Sequence, residues 1–358
     1  MFELTNDQRK CFALNPISDQ WERMEAKPSP YDQYKTYLYL DGNTIVKCIM
    51  CGESLYTEYE LSEGVSEDRK YLLPKTAKGK PVLLSASTIE KRHGVGMRLN
   101  YSDKYINLYN ENTECSYFFN SYLEDDVRDF GSFSQWVTQW CEDTTSADQE
   151  DILRFSQQRR KHIRYQEGDI FRFKIGRRLY GYGRVLLDYV KMRKRKEPFW
   201  DILMGTPLVC SVYHIVTERK DVTVNELKNL PSLPSVFTQD NSLFYGEHEI
   251  IGNLPITEYE DYPIMYGNSI RAGEKAIYFQ CGKLYRKIEN KSTLLSDNFR
   301  NNGIYFNLNF KLDILMQCIA ENSNQPYWTH YYPSCTEGDL RNPKYANKLQ
   351  LIKKQFEL

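Results

Sequence analysis

Phe171-Arg-Phe-Lys-Ile-Gly-Arg-Arg-Leu-Tyr-Gly-Tyr-Gly-Arg-Val-Leu-Leu187 is the most informative run of the chain. Phe171, Phe173 and Ile175 alternate with Arg172 and Lys174, so one face is apolar and the other charged at a repeat of two, the period of a half-buried strand. Gly176-Arg177-Arg178 interrupts the alternation, and a second β-prone run begins at Leu179. Two strands joined by so short a break lie antiparallel. The same texture continues in Leu208-Val-Cys-Ser-Val-Tyr-His-Ile-Val216 and Glu249-Ile-Ile251, with turn residues at Asp240-Asn241, Tyr245-Gly246 and Tyr266-Gly267. This pattern predicts a mostly antiparallel, β-rich module of barrel- or sandwich-like form.

Working toward the N-terminus, two capping boxes, Ser146-Ala-Asp-Gln149 and Ser132-Phe-Ser-Gln135, predict helix starts. Phe133, Trp136, Val137, Trp140 and Cys141 fall on one helical face. The basic residues Arg154, Arg159, Arg160 and Lys161 stand where they would complement the dipole at the end of the second helix. Strands are predicted at 116–120, 105–109, 96–101 and 81–84. Asp41-Gly42-Asn43, between Thr36-Tyr-Leu-Tyr-Leu40 and Thr44-Ile-Val-Lys-Cys-Ile-Met50, predicts a hairpin, because such a turn needs positive φ. A short capped helix opens the chain over 4–12. Toward the C-terminus, Phe306, Leu308 and Phe310 alternate as in a strand, Leu312, Leu315, Met316 and Ile319 follow helical spacing, and a charged helix closes the chain near 342–356. The fold class is therefore α+β and multi-domain: an α+β region over 1–160, the β-rich module over 161–282, and an α+β segment over 283–358 packing on it.

The composition of the 358 residues is that of a globular protein, 41% hydrophobic and 27% charged. Its 28 Tyr, 17 Phe and 5 Trp suit half-buried pleated surfaces, and Tyr also suits protein contacts. The net charge of −1 hides an asymmetry: residues 1–150 carry 16 basic against 25 acidic side chains, and residues 151–200 carry 15 against 5. The first ten residues show no signal-peptide pattern, and no apolar run nears the roughly 20 residues of a membrane helix. A cytoplasmic protein without membrane contact is the expectation. Nine scattered cysteines read as reduced core residues.

The motifs that resemble chemistry fail on inspection. Cys48-Ile-Met-Cys51 has zinc-ligand spacing but no second pair, and in a strand its two thiols face opposite ways. His248-Glu249-Ile-Ile-Gly252 puts a glycine where a zinc protease needs its second histidine. His93, His162, His214, His248 and His330 lie far apart. Gly181-Tyr-Gly183 lacks the third glycine and the following helix of a dinucleotide loop, so the glycines are read as letting the strand bend or another backbone approach. Catalytic residues, metal and cofactors are accordingly expected to be none. The belt of Arg159, Arg160, Lys161, His162, Arg164, Arg172, Lys174, Arg177, Arg178 and Lys191–Lys196 admits phosphate contact with Tyr180 and Tyr182 as stacking partners. It also admits a helix end, a solvated strand face and a charged loop. A third reading matches it to the acidic residues Glu124, Asp125, Asp126 and Asp129, which lack the spacing of a calcium loop.

The ordered series Glu167–Leu186, Gly205–Ile215, Asp240–Gly252, Tyr262–Gly267 and Phe279–Gly282 resembles the immunity protein 26 family over about 165–282. The resemblance implies an all-β domain that protects a bacterium from a polymorphic toxin, and it carries over no catalytic residue. The partner it implies is a cognate toxin protein; if the acidic front takes part, a basic toxin such as a nuclease would suit it. Stoichiometric binding needs complementary surface with aromatic anchors. Arg177, Arg178, Tyr180, Tyr182 and Tyr245 are the candidate partner contacts. A nucleic-acid-associated protein using the belt 159–196 is the first alternative. The second is a hydrolase of dispersed residues, which the phosphotriesterase label of some relatives suggests.

Overall fold

The computed structural model describes residues 2–28, 33–103, 105–120, 127, 129–200, 205–296, 304–305, 315–316, 319–320 and 339–358. The chain divides into two compact units, Met1–Lys161 and His162–Leu358.

The first unit opens with α1 (Asn6–Cys11), where Thr5 and Gln8 form a reciprocal capping box. Its strands are β1 (Glu22–Glu25), β2 (Tyr34–Asp41), β3 (Thr44–Gly52), β4 (Leu55–Val65), β5 (Tyr71–Leu73), β6 (Val82–Leu83), β7 (Val95–Ser102), β8 (Tyr105–Asn110) and β9 (Cys115–Asn120). Helix α2 (Ala86–Ile89) precedes β7, and α3 (Phe130–Glu142) and α4 (Ser146–Ser156) close the unit. The sheet runs β1-β2-β3-β4-β7-β8-β9, antiparallel throughout, with the β5–β6 ribbon attached to β4. Asp41 pairs with Thr44 across the first hairpin, and Gly42 takes the positive φ (+58°) that the turn requires.

Both faces of this sheet are covered. Ile49, Cys51, Tyr56, Leu99 and Tyr101 pack against Phe12 beside α1, Phe133, Val137 and Trp140 of α3, and Ile152 of α4. Leu38, Leu40, Cys48, Met50 and Tyr59 pack on the other face with Leu72, Leu84 and Ile89. The thiols of Cys48 and Cys51 thus belong to two separate cores, as the strand period dictates. Burial pushes the Cys48 thiol up to about 12.

The helix-side core contains an ionic network. Glu58, with no exposed side-chain surface, accepts from Arg9 Nε at 2.7 Å and from Lys47 Nζ at 2.7 Å through Oε1, and from the Tyr56 hydroxyl at 2.5 Å through Oε2. Arg9 also reaches Asn6 Oδ1 at 3.1 Å and Glu3 at 3.4 Å, so it ties α1 to the middle of the sheet. Burial raises the Glu58 carboxyl, but Lys47 and Arg9 pull harder, and it ends below its ordinary value.

Helices α3 and α4 begin at Phe130 and Ser146, so their caps lie ahead of the expected Ser132 and Ser146. Asp129 caps α3 in a box with Ser132, and Thr145 caps α4 in a box with Asp148. The same reciprocal geometry is met by Asp-x-x-Ser and Thr-x-x-Asp, which a search for Ser-x-x-Gln passes over. Helix α4 ends at Ser156, so Arg159, Arg160 and Lys161 lie beyond its last turn, where only Arg154 remains.

The second unit contains β10 (Asp169–Lys174), β11 (Tyr180–Asp188), α5 (Tyr189–Arg195), β12 (Pro207–Val212), α6 (Val224–Leu227), β13 (Val236–Gln239), α7 (Asn241–Phe244), β14 (Glu249–Asn253), β15 (Ile264–Asn268), β16 (Ala276–Cys281), β17 (Leu284–Glu289), β18 (Ile304–Tyr305) and, after a 3-10 turn at Pro343–Tyr345, α8 (Ala346–Gln355). One sheet runs β14-β10-β11-β12-β13-β18, with only the β13–β18 pair parallel; a second runs β15-β16-β17. Neither closes, so the module is built from open sheets rather than a barrel among the described residues. Leu187, Val209 and Phe237 of the first sheet share a core with Met265, Ala276 and Tyr278 of the second, and Trp200 stacks on Tyr278 with centroids 5.1 Å apart. The opposite face of the second sheet packs through Tyr266, Ile277 and Phe279 on Ile352 and Phe356 of the C-terminal segment.

Two expected turns have other roles. Tyr266-Gly267 lies inside β15, and Asp240-Asn241 opens α7; Tyr245-Gly246 does turn, with Gly246 at φ +77°. The expected strand at Phe306–Phe310, and Leu312 of the expected helix, fall outside the described residues, while Leu315 and Ile319 pack beside Phe171 and Phe173.

Candidate protein-interaction surface

The hairpin that carries most of the sequence candidates is held by cross-strand packing. Phe171 lies opposite Gly183, and Phe173 opposite Gly181. A methyl group on either glycine would come within 2.5 or 2.6 Å of the facing ring, so the glycines make room for aromatic side chains. The Ser211 carbonyl, 2.8 Å from the same point on Gly183, adds the close backbone approach that the sequence suggests. His248 joins this packing, its ring parallel to Phe171 at 5.3 Å between centroids, and burial pushes it down to about 3. Its neighbour Glu249 pairs with Arg172. Among the described residues no group of three His, Cys, Asp or Glu is arranged to hold a metal ion.

The five sequence candidates separate by depth. Tyr182 is fully buried and donates its hydroxyl to the Arg219 carbonyl at 2.7 Å; its ring has no surface to offer. Tyr180 is 5% exposed, and cations gather around its ring: Arg172 at 5.4 Å, Lys220 at 5.5 Å and Lys174 at 6.0 Å from the centroid. Arg178 is exposed and Arg177 half-buried at the turn, which the Ile175 N–H closes onto the Leu179 carbonyl. Tyr245 is half-buried against Phe244, 5.1 Å between centroids, with His162 at 6.0 Å. The structure therefore brings Arg172, Lys174, Lys220 and Tyr180 together.

The basic belt does not form a single free face. Arg160 pairs with Glu114 at 2.7 Å, Arg172 with Glu249, and Lys191 with Asp188 at 3.5 Å, while Arg193 donates to the Gly205 carbonyl at 2.9 Å. Of the acidic residues matched to it, Asp129 is the cap of α3, and Glu124, Asp125 and Asp126 fall outside the described residues.

A second feature lies outside the sequence candidates. Residues 254–261, between β14 and β15, form a connection anchored at both ends. The buried Arg184 of β11 donates to the carbonyls of Leu254 at 2.9 Å and Pro255 at 2.6 Å, and pairs with Glu260 at 3.1 Å. Glu260 in turn accepts from the Thr257 N–H at 3.0 Å. At the far end Asp261 accepts from the Ser235 N–H at 2.9 Å and from Arg341 at 2.5 Å. Tyr259 projects from this frame with 86% of its surface exposed, beside the exposed Glu258 and Asp261. An aromatic ring held out by a fixed loop loses little entropy on binding, which is how interface anchors work. Thr257-Glu-Tyr-Glu-Asp261 is visible in the sequence as a polar run, but nothing local shows that Arg184 and Arg341, far away in the chain, fix it.

Residues 166–276 match the family model of immunity protein 26. No curated protein and no solved structure matches the chain. The matched segment includes the hairpin, His248 and the Tyr259 loop.

Proposed function

We propose that this protein, through its immunity protein 26 segment, acts by stoichiometric binding to a bacterial toxin, with the Tyr259 loop as a principal contact. The observation that carries this reading is that the matched segment also holds the most exposed large hydrophobic side chain among the described residues, on a loop fixed by two arginines. The exposed carboxylate of Glu258 beside Tyr259 favours a basic surface on the partner and speeds encounter by charge steering. A nuclease, which must itself bind a polyanion, has such a surface. Inhibition of this kind needs no chemistry from the inhibitor, and its setting is the cytoplasm of the producing cell. No helix among the described residues is long and apolar enough to cross a membrane.

The test is co-expression with the toxin encoded beside the gene. The full chain should restore growth and co-elute with the toxin on a sizing column. Tyr259→Ala should weaken the complex by roughly 30-fold or more, the range of an anchor residue, while leaving stability within about 0.5 kcal/mol, as for other exposed positions. Continued killing with no complex would sink the proposal. An intact complex with the Tyr259 variant would move the contact elsewhere, with Arg178 and the Arg172–Lys220 cluster next to be tried.

A further inference from the structure

The first unit carries a surface of a different character, independent of the toxin reading. The β5–β6 ribbon pairs Tyr71 with Leu83 and Leu72 with Val82. Leu72 and Val82 point inward, packing with Leu38, Met50 and Leu84. Strand alternation then turns Tyr71, Leu73 and Leu83 outward on one face, where they are 38%, 42% and 50% exposed. Beside Leu73 on β4 stands Gly64, which has no side chain to cover it.

The charge carried by the ribbon itself has one sign. From Arg69 to Ile89 the sequence holds Arg69, Lys70, Lys75, Lys78 and Lys80 and no Asp or Glu, within a region, 1–150, that is acidic as a whole. Arg69 pairs with Glu22, and Lys70 with Asp68 at 3.4 Å. Lys75, Lys78 and Lys80 are exposed and enter no ion pair among the described residues. The connection that carries them is closed by hydrogen bonds from Thr76 N–H to the Lys80 carbonyl at 2.9 Å and from Gly79 N–H to the Thr76 carbonyl at 2.7 Å. Three free ammonium groups therefore sit at the tip of a ribbon whose outer face is Tyr and Leu.

We propose that the β5–β6 ribbon docks the protein on an anionic phospholipid surface, with Tyr71, Leu73 and Leu83 entering the headgroup boundary and Lys75, Lys78 and Lys80 meeting the lipid charge. Composition selects this occupant. Lysine is depleted at protein–protein contacts. Nucleic acids would gain from arginine and stacked rings, and two leucines give them nothing. An anionic bilayer uses both halves: long lysine stems keep their charge at the headgroups while apolar groups dip below. Neither a long apolar run nor an amphipathic helix marks this contact in the sequence, which is why no membrane contact is expected from it. The surface exists only once β5 and β6 pair.

The test is co-sedimentation of the full chain with phosphatidylcholine vesicles, with and without phosphatidylserine. Binding should require phosphatidylserine and fall with added salt. Lys75→Glu/Lys78→Glu/Lys80→Glu should lower the partition coefficient by about 100-fold or more, since each lysine near such a surface contributes roughly fivefold. Leu73→Ser/Leu83→Ser should also weaken binding without altering the circular dichroism spectrum, because both residues are exposed. A Tyr71→Trp variant should show a blue-shifted emission on anionic vesicles only. Equal binding to neutral vesicles, no binding at all, or binding indifferent to the lysine reversals would overturn the proposal. So would a lysine-dependent retention on single-stranded DNA that exceeds retention on vesicles and ignores the leucine changes.

Discussion

Glu58 and His248 show how much a single buried group can carry here. Glu58 is the common acceptor for Arg9, Lys47 and Tyr56. Glu58→Gln keeps the shape and removes the anion, leaving two cations in a dry core; a loss of about 3–5 kcal/mol in chemical denaturation is expected. A loss under about 1 kcal/mol would show that water reaches the site. His248 titrates in the opposite sense from a salt-bridged histidine. Its folded value, about 3, lies below the ordinary 6.5, so between these values the unfolded chain binds more protons than the folded one. The stability that the neutral ring allows is complete above pH 6.5 and drains away as pH falls toward about 3, by up to roughly 1.4 kcal/mol per unit. His214, lowered by burial as well, adds in the same direction. His248→Phe should flatten the slope of unfolding free energy against pH in that window, and an unchanged slope would assign it to other groups. Neither role is legible at the residue's own position, because His248 and Glu58 look in sequence like any polar residue of a strand region.

At the scale of elements the sequence reads well where the signal is local. The Asp41-Gly42-Asn43 hairpin, the strands β2, β3 and β6 to β9, the capped α1 and the apolar face of α3 appear where pattern and turn chemistry put them, whereas β1, β4 and β5 are not among the expected strands. Boundaries shift when an equivalent partner lies nearby, as at the starts of α3 and α4. That shift is testable: Asp129→Ala and Thr145→Ala should each cost about 1 kcal/mol, whereas Ser146→Ala, at the expected cap, should change stability by less than about 0.5 kcal/mol. Thermal denaturation of the three variants decides it, and a cost at Ser146 equal to that at Thr145 would return the cap to Ser146. Tyr266-Gly267 shows the limit of turn chemistry. Its glycine has turn character, yet the pairing of Tyr266 with Phe279 and Gly267 with Tyr278 holds both in β15.

At the scale of the whole molecule, the chain separates into two compact units at Lys161, and Arg159, Arg160 and Lys161, just past α4, are exposed. Trypsin under native conditions should cut first among these three, leaving two resistant fragments that mass spectrometry can identify. First cleavage at the Lys75–Lys80 tip would instead show that the ribbon opens more readily than the link. What depends on near neighbours is legible in the sequence: the α+β, strand-rich class, the hairpins, the helical faces, and the run of motifs that resembles the immunity protein 26 family and that the family model matches over 166–276. Tertiary structure alone decided what depends on residues far apart in sequence. It set two open sheets of the second unit, among the described residues, on one shared core. It buried Tyr182 between strand and loop, so that a residue suited to contact became a residue of the core. It fixed Tyr259 outward through Arg184 and Arg341, and it set Tyr71 beside Leu83 on the outer face of a cationic ribbon. The physical reason is the same in each case: propensity and alternation act over a few residues, whereas burial, ion pairing and exposed surface are set by which distant side chains the fold brings within a few ångströms.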